Sequence, residues 1–175
     1  LIQVGALKEN LGRIINPNKG IERLFGYRRG QLIGKNINLV IPSDLAIIHQ
    51  AFLETYIRTG KNKILYKEQH LFGIHKNGNL VQIGLSVRPM LNYIENVFLF
   101  IAYIQKRDHP DSNVMLVNGY GEIISADDRI DSVLGLRDYY KLRIPIQCYS
   151  KNMLRYFNKL MRERHVEETE TIAFE

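Results

Sequence analysis

The side chains able to bind a metal, move a proton or form a covalent bond are few, and most are badly spaced for it. His70 and His75, two of the five histidines, stand five apart in a stretch with strand-like alternation. An odd separation puts them on opposite faces of a strand, where they cannot share one ion. Glu167, Glu168 and Glu170 have the pattern of a solvated helix end rather than of a metal cluster. The single cysteine, Cys148, excludes an internal disulfide and a thiolate zinc cluster, and suits a reducing compartment. Gly12, Gly26 and Gly34 lack the spacing of a phosphate-cradling loop and mark turns and helix ends instead. No nucleophile, base and orienting acid come together, so the chain is not expected to be an enzyme or to hold a metal through a side-chain cluster. His49 stands apart: it lies on an apolar helical pattern seven residues after Pro42. A neutral imidazole there can line a filled core through a hydrogen bond or act as a ligand.

The helix that carries His49 opens at Pro42-Ser43-Asp44, with Ser43 or Asp44 as the candidate cap. Ile48, Phe52, Leu53, Tyr56 and Ile57 then recur at helical spacing up to Gly60. A sheet should receive its apolar face: Glu68 to His75, an Asn77-Gly78 turn, Leu80 to Leu91 and Val97 to Gln105. Asn-Gly between alternating segments is a strong hairpin signal. Val81, Ile83, Leu85 and Val87 share one face of the middle strand. Upstream, Gln3 to Leu7 and Arg13 to Ile15 form a second hairpin around the polar turn Lys8 to Gly12. Short helical turns follow at Ile21, Leu24 and Phe25 and at Leu32 and Ile33. The last strand is apolar on both faces, with Val97, Leu99, Ile101 and Tyr103 on one side and Phe98, Phe100, Ala102 and Ile104 on the other. A domain of this size has one core to offer. One of the two sets must lie outside it and meet a helix, another domain or another chain, and Phe98, Phe100, Ala102 and Ile104 are taken as the candidate partner-binding set.

With 175 residues and 45% hydrophobic content, the chain can bury one full core and part of another. The expected organisation is a first domain over 1–107, a linker over 108–113 and a second, truncated domain over 114–175. The stretch from Lys106 to Asn113 is polar and contains Pro110, as a linker should. Beyond it an internal repeat runs at an offset of 109 residues: Gly12, Ile14, Ile15, Ile21 and Gly26 recur as Gly121, Ile123, Ile124, Ile130 and Gly135. The same offset carries the first long helix onto Asn152 to Val166, where Met153, Leu154, Phe157, Leu160 and Met161 form an amphipathic stripe. The final apolar, β-prone stretch, Thr171 to Phe174, suggests a piece of a longer polypeptide. The longest apolar runs, such as Val97 to Tyr103, fall short of the roughly 18 residues a membrane-spanning helix needs. The net charge of +6 divides unevenly, at +9 over residues 1–107 and −3 over residues 108–175. The cations are scattered along the sequence, which reads as a solvated surface and not as a nucleic-acid site.

Several phrases together resemble the PAS family: Gly12-Arg-Ile-Ile-Asn16, Leu24-Phe-Gly-Tyr27, Leu32-Ile-Gly-Lys35, the helix start at Pro42, Ile74-His-Lys-Asn-Gly78 and Phe100-Ile-Ala-Tyr-Ile104. They cover nearly all of the first domain. The resemblance implies an α+β PAS fold, a five-stranded antiparallel sheet with helices on one face, followed by an incomplete second PAS-like repeat. Leu11-Gly-Arg-Ile14, Gly34-Lys-Asn-Ile-Asn38 and the repeat that begins just after the domain are most similar to PAS segments of large protist proteins of the tiny-macrocysts-B type, whose parents can be multi-pass membrane proteins. From Pro42 to Gly78 the spacing also resembles the haem-binding oxygen-sensor PAS domains of bacterial histidine kinases. There His49 would ligate iron, Ile64, Leu85 and Val87 would lie on the distal side, and Gln69 replaces the family's distal arginine. Phe52 completes the candidate pocket. Gln69 can donate a hydrogen bond to a bound gas, but without charge assistance. The light-sensing flavin class needs a cysteine where this chain reads Lys35-Asn-Ile-Asn-Leu-Val40, and is set aside.

The resulting expectation is an interaction and signalling module without a required cofactor, docking protein partners or other domains of the same parent, including PAS–PAS association. It would act in the cytoplasm or on the cytoplasmic side of a membrane-associated parent. One alternative is a small-molecule sensor with haem or a metabolite near His49; another is a purely structural subunit of a large assembly. The 109-residue offset places Asn158 where His49 stands, so no haem is expected in the second segment.

Overall fold

The computed structural model of the chain describes residues 1–61, 65–92, 97–107, 113–134 and 143–148, together with Asn152, Arg155 and Asn158. Two units are distinguishable, Leu1–Asn113 and Val114–Glu175.

The first unit opens with a hairpin of β1 (Ile2–Gly5) and β2 (Ile14–Pro17). These strands lie differently from the expected Gln3 to Leu7 and Arg13 to Ile15, because the chain leaves the ladder early. Asn10 accepts from the Leu7 amide through its side chain and donates its own amide to the Leu7 carbonyl, which closes a tight turn. Ile2 then pairs with Pro17, Gln3 with Asn16 and Val4 with Ile14, so Ile15 is the extra residue of a bulge.

Three helical segments follow. In α1 (Lys19–Phe25) the Asn18 side chain caps the Ile21 amide, Ile21 and Phe25 are buried, and Gly26 ends the helix with φ of 73°. The short α2 (Arg29–Leu32) buries Leu32, and a 3-10 turn at Ile37–Val40 buries Ile37 and Val40. The long α3 spans Ser43–Thr59 and ends at Gly60, φ 67°. Its cap differs from expectation: Ser43 is already the first helical residue, Pro42 is the N-cap, and the Pro42 carbonyl accepts from the Leu45 and Ala46 amides. The Ser43 hydroxyl turns to the neighbouring Asp44 carboxylate.

The sheet is completed by β3 (Gln69–Ile74), β4 (Leu80–Asn92) and β5 (Val97–Lys106), in the order β2-β1-β5-β4-β3 with every pair antiparallel. The β3–β4 hairpin turns at Asn77-Gly78, where the Asn77 side chain accepts from the Asn79 amide and Gly78 takes φ of 98°. Register decides which side of β5 is inside. Phe100 lies opposite Val4 and Ala102 opposite both Ile2 and Val87, while Ile104 lies opposite Leu85. Residues directly opposite share a face. The core therefore gathers Ile2, Val4, Phe100 and Ala102 under Ile21, Phe25 and Leu32, with Leu85, Val87, Phe98 and Ile104 packed at its edge. The rings of Tyr56 on α3 and Phe100 on β5 are 5.5 Å apart. At Gly73 of β3 the missing side chain makes room for the Phe25 ring.

The second unit begins with β6 (Met115–Val117), β7 (Ile123–Ala126) and α4 (Asp128–Leu134). Its backbone bonds recur at the 109-residue offset. Ile14 N donates to Lys35 O at 2.8 Å and Ile37 N to Gly12 O at 2.8 Å; in the second unit Ile123 N donates to Ile144 O at 2.9 Å and Ile146 N to Gly121 O at 2.8 Å. The Asn18 cap of the Ile21 amide has its counterpart in the Asp127 cap of the Ile130 amide. The β6–β7 pair also carries a register shift between Leu116 and Val117, as β1–β2 does between Gln3 and Val4. The expected stripe of Met153, Leu154, Phe157, Leu160 and Met161 and the glutamates 167, 168 and 170 lie outside the described residues. Asn152, Arg155 and Asn158 are helical and exposed.

Candidate functional site

Two places in the first unit merit a functional reading: the outer face of β4 and β5, and the side of the sheet beneath α3. The outer face is built by alternation. Since Phe98, Phe100, Ala102 and Ile104 are consumed by the core or packed against it, their assignment to the outer face is corrected. The set on the other face is Val97, Leu99, Ile101 and Tyr103, of which Leu99 is itself buried, Val97 and Ile101 are half-buried and Tyr103 is exposed. Sequence alone had no means of choosing, because both sets are equally apolar and only the cross-strand partners break the tie. On β4, Met90 pairs with Leu99, Arg88 with Ile101 and Ser86 with Tyr103. Tyr103 is 49% exposed and Met90 36% exposed, so a half-open apolar surface lies beside the guanidinium of Arg88.

An ion pair that sequence reasoning missed sits on the same face. Arg107 donates to the Glu68 carboxylate across Gly84, and the Arg107 amide donates to the Gln82 carbonyl. The hydrogen bond from Arg107 holds the Glu68 carboxyl below the usual carboxylate range. A Cβ on Gly84 would stand 2.5 Å from Glu68 Oε1 and 2.9 Å from Arg107 Nε. The glycine inside an alternating strand was the one available signal of this close approach.

Beneath α3, His49 is half-buried and its Nδ1 lies 3.1 Å from Asn38 Oδ1. Burial pushes its pKa down, so the ring is neutral at pH 7. In the tautomer that donates Nδ1–H to Asn38 Oδ1, the Nε2 lone pair is available as a ligand. Asn36 makes a second, longer tie from the 3-10 turn to α3, with its Nδ2 at 3.5 Å from Gln50 Oε1. Gln69, Leu85 and Val87 share the inner face of the sheet, Gln69 directly opposite Leu85. Phe52 is not drawn into the core: it is 58% exposed. Ile64 lies outside the described residues. The donor chemistry of His49 thus fits an axial ligand, while Phe52 leaves its part of the candidate pocket wall open.

A five-stranded antiparallel sheet in this strand order, with helices on one face, is the PAS fold of sensory and signalling domains. A family model described as PAS domain matches residues 4–106, more than half of the chain, and the chain belongs to that family. Among curated proteins it is similar to a probable serine/threonine-protein kinase of Dictyostelium discoideum, 24% identical over 144 residues, which cover 81% of this chain and 9% of that protein. The chain thus spans about a tenth of the length of that relative. Among solved structures it is similar to the PAS domain of the fruit-fly ELK potassium channel, at 20% identity and a TM-score of 0.47, covering 62% of this chain and 85% of the other. It is also similar to the PAS domain of a Colwellia psychrerythraea protein, at 25% identity and a TM-score of 0.44, covering 63% and 87%. No described helix is long and apolar enough to cross a membrane.

Proposed function

We propose that the first unit is a non-catalytic interaction and signalling module that docks a protein segment through the outer face of β4 and β5. The observation that carries this reading is the two-sided apolar character of β5. One set of its side chains fills the core, and the other, with Met90 beside it, lies on the face away from α1 and α3. The partner is a segment with an apolar centre and an acidic rim, because residues 1–107 carry a net charge of +9 and Arg88 borders the surface. Full burial of a large apolar side chain is worth about 1.5–3 kcal/mol, so covering Tyr103 and Met90 offsets part of the cost of association. A ligand beneath α3 would switch the module by favouring one packing arrangement over another. Substituting both Met90→Lys and Tyr103→Lys tests the reading. The chain should leave its native-size assembly in cell extract while its melting temperature stays within a few degrees. An unchanged assembly would refute docking at this face.

The second unit, in the same proposal, is a second PAS-like repeat joined through a linker at 108–113. The recurrence of the Gly12, Ile14 and Asn18 hydrogen bonds at Gly121, Ile123 and Asp127 supports it. A sensor role for the first unit is a second reading, favoured by one specific observation: the Asn38 contact that orients a neutral His49. Haem held there would supply an iron able to bind a diatomic gas. Adding haem to the purified chain should then give a Soret band that His49→Ala removes, and the absence of any band would dismiss it.

A further inference from the structure

Three cations that lie far apart in the first 35 residues, Arg13, Arg29 and Lys35, are brought to β2 when the chain folds. The segment Ile33–Asn36 pairs antiparallel to the free edge of β2, with Gly34 N donating to Ile14 O and Ile14 N to Lys35 O, each at 2.8 Å. Arg13 stands at one end of β2 and donates Nη1 to the Gly34 carbonyl at 3.0 Å. Arg29 closes the other end, with Nη1 on the Pro17 carbonyl and Nη2 on Asn16 Oδ1, each at 2.7 Å. Between them, on the two paired segments, Ile15 is 36% exposed and Ile33 43% exposed. Lys35, on the paired segment, and Arg28, next to Arg29 in the chain, are both exposed. Among the described residues none of these four side chains forms an ion pair; the Glu22 carboxylate accepts from the Arg29 backbone amide at 2.9 Å and is the acidic group at this edge.

We propose that this edge binds the surface of an anionic lipid bilayer, with Ile15 and Ile33 entering the acyl boundary and Arg13, Arg28, Arg29 and Lys35 over the headgroups. Two features favour lipid over a folded or nucleic-acid ligand. The guanidinium groups of Arg13 and Arg29 already donate to backbone carbonyls, which leaves their charge in place but occupies part of the fork that would recognise one specific anion. That suits a fluid array of headgroups. The exposed apolar side chains are aliphatic and not aromatic, so they offer no platform on which bases could stack, but they suit insertion at an interface. This surface lies on the β2 edge and is separate from the β4–β5 face proposed for protein docking, so the two proposals stand or fall independently.

Sedimentation of the full chain with vesicles tests it. The chain should pellet with phosphatidylcholine vesicles containing about 30% phosphatidylserine and not with phosphatidylcholine alone, and about 0.5 M salt should release it. Each cation near an anionic surface is worth about fivefold in partitioning. Reversing both Arg28→Glu and Lys35→Glu should therefore lower binding by well over tenfold, and Ile33→Ser should lower it several-fold. Circular dichroism melting of each variant separates lost binding from lost fold, and Lys67→Glu, exposed just before β3 at the opposite edge of the sheet, should change vesicle binding much less. Three results would overturn the proposal: no pelleting with the anionic vesicles, pelleting indifferent to these substitutions, or binding to an RNA oligomer in place of vesicles.

Discussion

Gly73→Ala isolates one contact that holds the first unit together. A methyl group at this position would stand 2.5 Å from Cε1 of Phe25 and 3.2 Å from the carbonyl oxygen of Val40. Ordinary carbon–carbon contact begins near 3.5 Å, so the Phe25 ring would have to retreat by about 1 Å. It has nowhere to go, because Phe25 is fully buried against the core that contains Ile21 and Leu32, and the second close neighbour is backbone. Overpacking of this kind costs about 1–3 kcal/mol. For a domain of this size each kcal/mol lowers the melting temperature by about 4–8 °C, so a fall of about 5–20 °C is expected by calorimetry or circular dichroism. Gly73 has no positive φ, which excludes backbone strain as the cause. Trimming the ring in the double variant Gly73→Ala, Phe25→Leu should recover part of the loss relative to the two single changes. Gly30→Ala is the control, since no atom lies within 4 Å of a Cβ there, and it should be neutral or mildly stabilising. A Gly73→Ala protein that melts with the parent would refute the packing of α1 on β3 described above.

Other expectations follow from the same geometry. Phe100→Ala removes a ring packed against Tyr56 and should cost about 3–5 kcal/mol, whereas Tyr103→Ser on the opposite face of the same strand should cost under about 1 kcal/mol; chemical denaturation of the two variants reads the difference. His49 has its pKa lowered by burial in the folded state, so below about pH 6.5 the unfolded chain binds a proton that the native chain refuses. Stability should therefore fall as pH drops from that point to the lower native value and then level off. His49→Gln should flatten this part of a stability-versus-pH curve. Gly84→Ala should displace the Glu68–Arg107 pair from the sheet, and the Glu68 carboxyl should then titrate closer to its ordinary range by NMR.

Much of the architecture was legible because local chemistry and pattern agreed. Asn77-Gly78 announced the β3–β4 hairpin through the positive φ that glycine takes there, and Gly60 announced the end of α3. The repeat showed itself through glycines and isoleucines at fixed spacing, and the same residues carry the recurring backbone bonds of Gly12 with Ile37 and Gly121 with Ile146. What could not be read was anything decided by register. The two apolar sets of β5 became distinguishable only when Val4 lay opposite Phe100 and Leu85 opposite Ile104. The first hairpin moved because the Asn10 side chain closes a turn that hydrophobic alternation does not encode. The partner of His49 is Asn38, eleven residues earlier on a different element, and no periodicity connects them. The gathering of Arg13, Arg29 and Lys35 around β2 was hidden for the same reason: cations that look dispersed along the sequence become neighbours only through the pairing of Gly34 with Ile14.

The central claim, that the outer face of β4 and β5 is where the first unit meets its protein partner, is tested most directly by photo-crosslinking in living cells. A photoreactive amino acid placed at Tyr103 should give one discrete protein adduct that disappears when Met90→Lys is added. The same group at Ile47, exposed on α3, should give none. Adducts from Ile47 but not from Tyr103, or a Tyr103 adduct indifferent to Met90→Lys, would contradict the claim.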